Sequence, residues 1–248
     1  QAFRHGLVPS VFDHPDWEAS PEIAVAESIS TVERALLADS SVDTSLSGTT
    51  YTSVCVRGTK LVLTNLGALH RHHFATHLCI ANPPLPVNFH QKERILRAGG
   101  RVFSLEYSDG VDGPPRVWLA DTDTPGLAMS RTLGDVVAHS VGVTSDPDTY
   151  RCVELGCDLG CPGQGVRDDG EGGSADESPA VLILATDGLW EFISDQEAVD
   201  IASQCSEPRH AVQRLTHEAT NRWMKEEQVV DDITVCVAFL KGRVEDFG

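Results

Sequence analysis

The sequence predicts an α+β fold built on antiparallel sheets. Three observations carry this reading. A helix-period apolar stripe stands near the start, and two β-rich runs joined by a short polar turn follow it directly. The last seventy residues then read strand, helix, helix, strand, without the alternating strand–helix repeat of a parallel sheet.

Taken in order, Ser20-Pro21-Glu22 is a helix start. It has a hydroxyl cap, a proline where no N–H is needed, and an acid at the positive end of the helix dipole. Val25, Ile29, Val32 and Leu36 place one apolar stripe along that helix, which ends near residues 39–43. Residues 48–56 and 61–66 are rich in Thr, Val, Tyr and Leu, and Arg57-Gly58-Thr59-Lys60 separates them, a β-hairpin pattern. Val54, Val56, Leu61 and Leu63 are expected on its buried face. Residues 67–90 keep neither period and carry Asn82-Pro83-Pro84-Leu85-Pro86, so they read as a loop.

Gln91 to Ala98 is a short helix closed by Gly99-Gly100. Short strands at 101–103 and 116–119 flank the turn-rich 108–115. Residues 167–179, acidic and full of Gly and Ser, are expected as a solvated loop. Residues 181–185 (Val-Leu-Ile-Leu-Ala) form a continuous apolar run, the pattern of a strand buried on both faces. Ser194-Asp195-Gln196-Glu197 is a capping box that opens a helix containing Ala198, Val199 and Ile201. Pro208 opens another, with Val212, Leu215, Ala219 and Trp223 on one face. Residues 233–239 close the chain as a strand that should pair antiparallel with 181–185.

With 248 residues, 41% hydrophobic and 23% charged, the chain has ample material for a sizeable core, and a single domain is expected over 1–248. Nineteen Lys and Arg against 37 Asp and Glu give a net charge of −18, which argues against nucleic acid and fits cations or basic partners. No run of eighteen apolar residues exists, so no membrane partner is expected. Seven scattered cysteines and the absence of a basic-then-apolar leader fit a reducing compartment, cytoplasm or nucleus. The His70, His72, His73, His77 and Cys79 group lacks a paired zinc spacing and is read as part of the loop. Cys152, Cys157 and Cys161 have no fourth ligand. Cys161 to Arg167 only loosely matches the loop of a cysteine phosphatase, and no helix start follows to lower the thiol pKa.

Two acids stand out by position. Asp187 follows the buried run directly, and Asp231 and Asp232 precede the last strand. If those strands pair antiparallel, Asp187 and Asp231 meet at one sheet edge, within about 4–7 Å, and hard oxygen donors so placed suit Mg²⁺ or Mn²⁺. The alternative is that Asp187 opens a turn and Asp231 caps one.

Five segments in order resemble a family: Ser47-Gly48-Thr49-Thr50, Arg94-Ile95-x-x-Ala98-Gly99-Gly100-x-Val102, Ser130-Arg131-x-Leu133-Gly134-Asp135, Ala185-Thr186-Asp187-Gly188-Leu189-Trp190 and Asp231-Asp232-Ile233-Thr234-Val235. The series is similar to that of the metal-dependent type 2C protein serine/threonine phosphatases and covers about residues 20–240. The resemblance implies two packed antiparallel sheets flanked by helices, a two-metal Mn²⁺ or Mg²⁺ site, and hydrolysis of phosphoserine and phosphothreonine in phosphoproteins by activated water, in a monomer. It makes Asp187 and Asp231 metal ligands, with Gly188 and Asp232 beside them. Ser130, Arg131 and Asp135 form a supporting turn whose role is structural first.

Departures from the pattern matter equally. The family's early Asp-Gly-His-Gly-Gly motif has no match, since Val11-Phe12-Asp13-His14-Pro15 lacks the glycine after Asp13. Ala68 and Gln91 stand where the family carries acids, and Glu191 where it carries Asp. The resemblance therefore implies that the family's N-terminal segment is not in this sequence, that the chain as given binds metal weakly and turns over poorly, and, as the alternative, a catalytically silent relative acting as a binding module.

Overall fold

The computed structural model describes residues 6–57, 60–67, 70–74, 77–81, 89–107, 110–152 and 180–240. The acidic stretch 167–179, the proline run 82–86, Cys157 and Cys161 lie outside them.

The chain divides into two compact units. The first comprises Gln1–Cys55, Val62–Leu69 and Pro84–Arg151, the second Val56–Leu61, His70–Pro83 and Cys152–Gly248. In chain order the elements begin with α1 (Val8–Phe12), α2 (Pro21–Ala38), β1 (Gly48–Thr49), β2 (Tyr51–Arg57) and β3 (Lys60–Leu66). There follow β4 (His70–Phe74), β5 (His77–Ala81), α3 (Phe89–Arg97), β6 (Arg101–Tyr107), β7 (Gly110–Trp118), β8 (Pro125–Leu127), β9 (Leu133–Gly134), α4 (Val136–His139) and β10 (Asp148–Cys152). The last are β11 (Ala180–Ala185), α5 (Asp187–Trp190), α6 (Asp195–Ser203), α7 (Pro208–Glu226) and β12 (Val235–Leu240). Helices and predominantly antiparallel sheets make this an α+β fold, as the sequence predicts.

In the first unit, the α2 stripe packs Val25, Ile29 and Val32 against Leu7, Val11, Leu66 and Leu133. Pro21 opens α2, but the Ser20 hydroxyl makes no cap bond. A second cluster joins Ile95 of α3 to Val117, Ala138, Val141 and Val143. Strand order β10-β3-β2 makes β3 the centre of its sheet, and Leu61 through Leu66 are accordingly buried on both faces. Here one expectation fails: Val56 is 49% exposed, because β2 is the edge of that sheet.

β6 and β7 run well past the short strands expected, leaving only 108–109 between them. The prolines at 114 and 115 are tolerated because the register jumps there. Phe103 faces Arg116 while Leu105 already faces Asp112, so the prolines fall in a bulge of the ladder.

The second unit holds a four-stranded sheet, order β12-β11-β5-β4. β11 pairs antiparallel with β12, Ala185 opposite Val235, and parallel with β5, Ala185 opposite Ala81. The reading of 67–90 as a loop is thus corrected at 70–74 and 77–81, which are strands. Neither segment has a period of its own, and their pairing comes from β11, about a hundred residues away in sequence. The strand expected at 233–239 is β12, beginning two residues later. Val181 and Ile183 of β11, with Val235, Val237 and Phe239 of β12, pack against Ala198, Val199 and Ala202 of α6 and Ala211, Leu215 and Ala219 of α7. α6 opens on the expected capping box: Ser194 N donates to Glu197 Oε2 at 3.0 Å, and Glu197 N donates to Ser194 Oγ at 3.4 Å.

Candidate metal centre

The centre of interest is the end of the β11/β12 pair. Beyond Ala185 and Val235 the two chains stay joined through Thr186. Its N–H donates to Thr234 O at 3.1 Å, and its hydroxyl accepts from Thr234 N and donates to Asp232 O, both at 3.1 Å. A threonine suits this place, being a good strand residue with a hydroxyl that can both give and take a proton. Asp187 follows at the first position of α5, and Asp231 and Asp232 lie on the facing segment.

Gly188 permits that closeness. A Cβ there would stand 2.5 Å from Asp232 O and 3.0 Å from Asp232 C, so any side chain would force the segments apart. Gly188 itself is buried, Asp187 half-buried and Asp231 exposed.

The electrostatics follow from the geometry. The Asp187 carboxyl is pushed above the usual range, first by burial and then by the charge of Asp231, against which its own N–H and that of Gly188 pull downward. Two carboxylates held together by backbone bonds are an unfavourable pair alone and a favourable one around a cation. All donors here are oxygen, and one or two carboxylates with the remaining positions left to water is the usual protein share of a Mg²⁺ or Mn²⁺ site. The donor set and the glycine cradle fit a hard divalent ion. Among the described residues no group of three or more His, Cys, Asp or Glu side chains could hold a metal ion. The described contribution is therefore a carboxylate pair.

Ser130, Arg131 and Asp135 lie in the first unit, and each has structural partners there. Ser130 is buried and its carbonyl accepts from Arg94 Nη2 at 2.6 Å, while Arg94 Nε donates to Gly142 O at 2.7 Å. The arginine of the Arg94-Ile95 motif thus straps the 130–142 turn. Arg131 pairs with Asp148 at 2.6 Å and donates to Asp146 O. Asp135 is buried in a left-handed conformation (φ 46°), and its N–H donates to Ser47 O at 2.9 Å. Its carboxylate lies where a Cβ on Gly48 would come within 2.0 Å, which accounts for the glycine in Ser47-Gly48-Thr49. Buried Glu33 of α2 supports this turn, both its oxygens accepting from Gly134 N at 3.2–3.3 Å. Asp13 ends α1.

Sequence reasoning names Trp190 and Trp223 but not the bonds their indoles make. Trp190 Nε1 donates to Ala185 O at 2.9 Å and Trp223 Nε1 donates to Gly188 O at 2.7 Å. Trp223 shows in sequence only as one member of an apolar helix face. Its reach to the turn depends on how α7 crosses the end of the sheet.

Comparison with known proteins agrees with the motifs. The family profile described as Protein phosphatase 2C matches residues 173–228. "Probable protein phosphatase 2C 73" of Arabidopsis thaliana is 33% identical over 223 residues, covering 85% of this chain and 52% of the relative. "Probable protein phosphatase 2C 64" of Oryza sativa subsp. japonica is 31% identical over 235 residues, covering 90% of this chain and 49% of the relative. The chain thus spans about half the length of these relatives. The crystal structure of a serine-threonine phosphatase 2C from Toxoplasma gondii superposes with a TM-score of 0.70 over 95% of this chain and 78% of that one, at 20% sequence identity, so the fold is shared. By its ordered motifs, its relatives and its fold, the chain belongs to the type 2C protein phosphatase family.

Proposed function

We propose that the protein carrying this chain is a metal-dependent protein serine/threonine phosphatase acting on phosphoproteins, and that Asp187 and Asp231 are ligands of its Mn²⁺ or Mg²⁺ centre. The observation that carries this is the backbone-locked contact between the Asp187 and Asp231 segments at Gly188, with the Asp231 charge acting on the Asp187 carboxyl. A bound divalent cation would supply Lewis-acid activation of water and neutralise charge on the phosphoryl group. The chain's own residues hold and orient it. Asp187 and Asp231 give oxygens, Thr186 fixes the distance between their segments, and Gly188 leaves room for that distance.

The free cysteines Cys55, Cys205 and Cys236 support cytoplasm or nucleus as the compartment. Among the described residues no helix is long and apolar enough to cross a membrane. A second reading, a binding module without turnover, is favoured by Ala68 and Gln91 at positions where the family pattern has acids.

The test is dephosphorylation of a phosphothreonine peptide by the complete protein in millimolar Mn²⁺. The proposal expects activity that chelator removes and that Asp187→Ala and Asp231→Ala each abolish. Activity retained in both variants would overturn it. Mn²⁺ binding without any turnover would select the second reading.

A further inference from the structure

Two adjacent residues near the end of α7 grip the turn that begins with Asp187. Arg222 Nη1 donates to Phe192 O at 2.5 Å, while its Nη2 donates to Glu197 at 3.0 Å and its Nε to Glu218 at 2.8 Å. Trp223 Nε1 donates to Gly188 O at 2.7 Å, and its ring meets Phe192 edge-on with centroids 4.8 Å apart.

The bond to Gly188 has a specific reason. α5 is four residues long, so its carbonyls depend on donors from outside the helix. Asp187 O takes Glu191 N and Leu189 O takes Ile193 N, while Gly188 O takes the indole. Gly188 must also lack a side chain, because Asp232 O lies where its Cβ would be. A residue obliged to be glycine would otherwise be free to move through many backbone conformations. Its carbonyl is fixed by Trp223. The same helix end leads within eight residues to Asp231, through Gln228 in a left-handed turn (φ 59°). One indole therefore fixes the carbonyl of the residue that directly follows Asp187.

We propose that Trp223 is a positioning residue of the cation site: it sets the Asp187 carboxylate by immobilising Gly188, and so couples α7 to cation affinity. This rests on the reading of Asp187 and Asp231 as ligands. The test is titration of the 248-residue chain with Mn²⁺, followed by electron paramagnetic resonance of the free ion, with urea unfolding of each metal-free variant alongside.

Trp223→Phe keeps a ring against Phe192 but removes the donor, leaving a buried carbonyl unsatisfied. Mn²⁺ affinity should fall about tenfold. Val199→Ala truncates a buried side chain of α6 in the same core and makes no contact with the turn through a hydrogen bond. It should cost stability while leaving affinity within about twofold. Unchanged affinity in Trp223→Phe would overturn the proposal and leave the ligand assignment standing. An equal loss in Val199→Ala would also overturn it, since general destabilisation would then be the cause. Binding that is absent in the unsubstituted chain, or unaffected by Asp187→Ala, would overturn the ligand assignment and this proposal together.

Discussion

Replacing Gly188 with alanine puts a methyl 2.5 Å from Asp232 O, 3.0 Å from Asp232 C and 3.1 Å from Ile233 Cγ1. Ordinary contact begins at 3.4 Å, so the Asp232 backbone must give by about 0.9 Å. The carbonyl is main chain and the methyl is bonded directly to Cα, so neither can rotate away. A shift of that size along the Thr186 Oγ1 to Asp232 O bond would stretch it from 3.1 Å to about 4 Å, beyond hydrogen-bond reach.

Two energies compete in this variant. Overpacking of this kind costs about 1–3 kcal/mol, while alanine in a helical position gains about 1 kcal/mol over glycine. Net stability should therefore change by between zero and a loss of about 2 kcal/mol. Cation affinity is the sharper reporter. Mg²⁺ accepts oxygen only near 2.0–2.1 Å, so a displacement of about 0.9 Å removes one carboxylate from the ion. Calorimetric titration of Gly188→Ala with Mn²⁺ should show affinity lowered by more than about tenfold, with urea unfolding showing a loss of no more than about 2 kcal/mol. An alanine variant that binds Mn²⁺ as the unsubstituted chain does would refute the claim that this glycine sets the carboxylate spacing.

Other substitutions test the frame around the site. Burial raises the Glu33 carboxyl pKa, so the native state holds that proton more tightly than the unfolded chain. The stability this gives is complete below the ordinary value near 4.3 and is lost as pH rises through the raised one. Urea unfolding should find Glu33→Gln at least as stable as the parent at pH 7, with a flatter pH dependence just above 4.3. Glu197 behaves oppositely, held down to about 2 by its bonds to Arg222 and Ser194. Its contribution is present above about 4.3 and is lost as pH falls toward 2. Because its side chain is 46% exposed, Glu197→Gln should cost only about 0.5–1 kcal/mol at pH 7, a difference that closes at the acid end. Arg94→Lys cannot serve Gly142 O and Ser130 O together, and should lower unfolding free energy by about 1–3 kcal/mol.

What the sequence reveals depends on how local its cause is. The Ser194–Glu197 capping box, the α2 stripe and the β11 run are each set by residues within a few positions of one another, and all three are legible. That the Asp187 and Asp231 segments face one another is legible because β11 and β12 carry strong strand patterns and pair antiparallel. β4 and β5 are hidden, since His70–Phe74 and His77–Ala81 become strands only through pairing that reaches β11. Val56 is misplaced for a related reason: which hairpin strand is central depends on β10, far along the chain. The Trp223 bond to Gly188 also lies beyond pattern reading, because helical spacing gives a face but not the carbonyl that an indole meets.

The central claim is that Asp187 and Asp231 act as one cation site, and a double-mutant cycle on Mn²⁺ affinity tests it most directly. The chain, Asp187→Ala, Asp231→Ala and the double variant should be titrated under one set of conditions. If both carboxylates hold one ion, each single substitution removes nearly all the affinity and the double variant loses little more, a coupling of neighbours that share a ligand. Losses that simply add, or a chain whose Mn²⁺ affinity neither substitution changes, would contradict it.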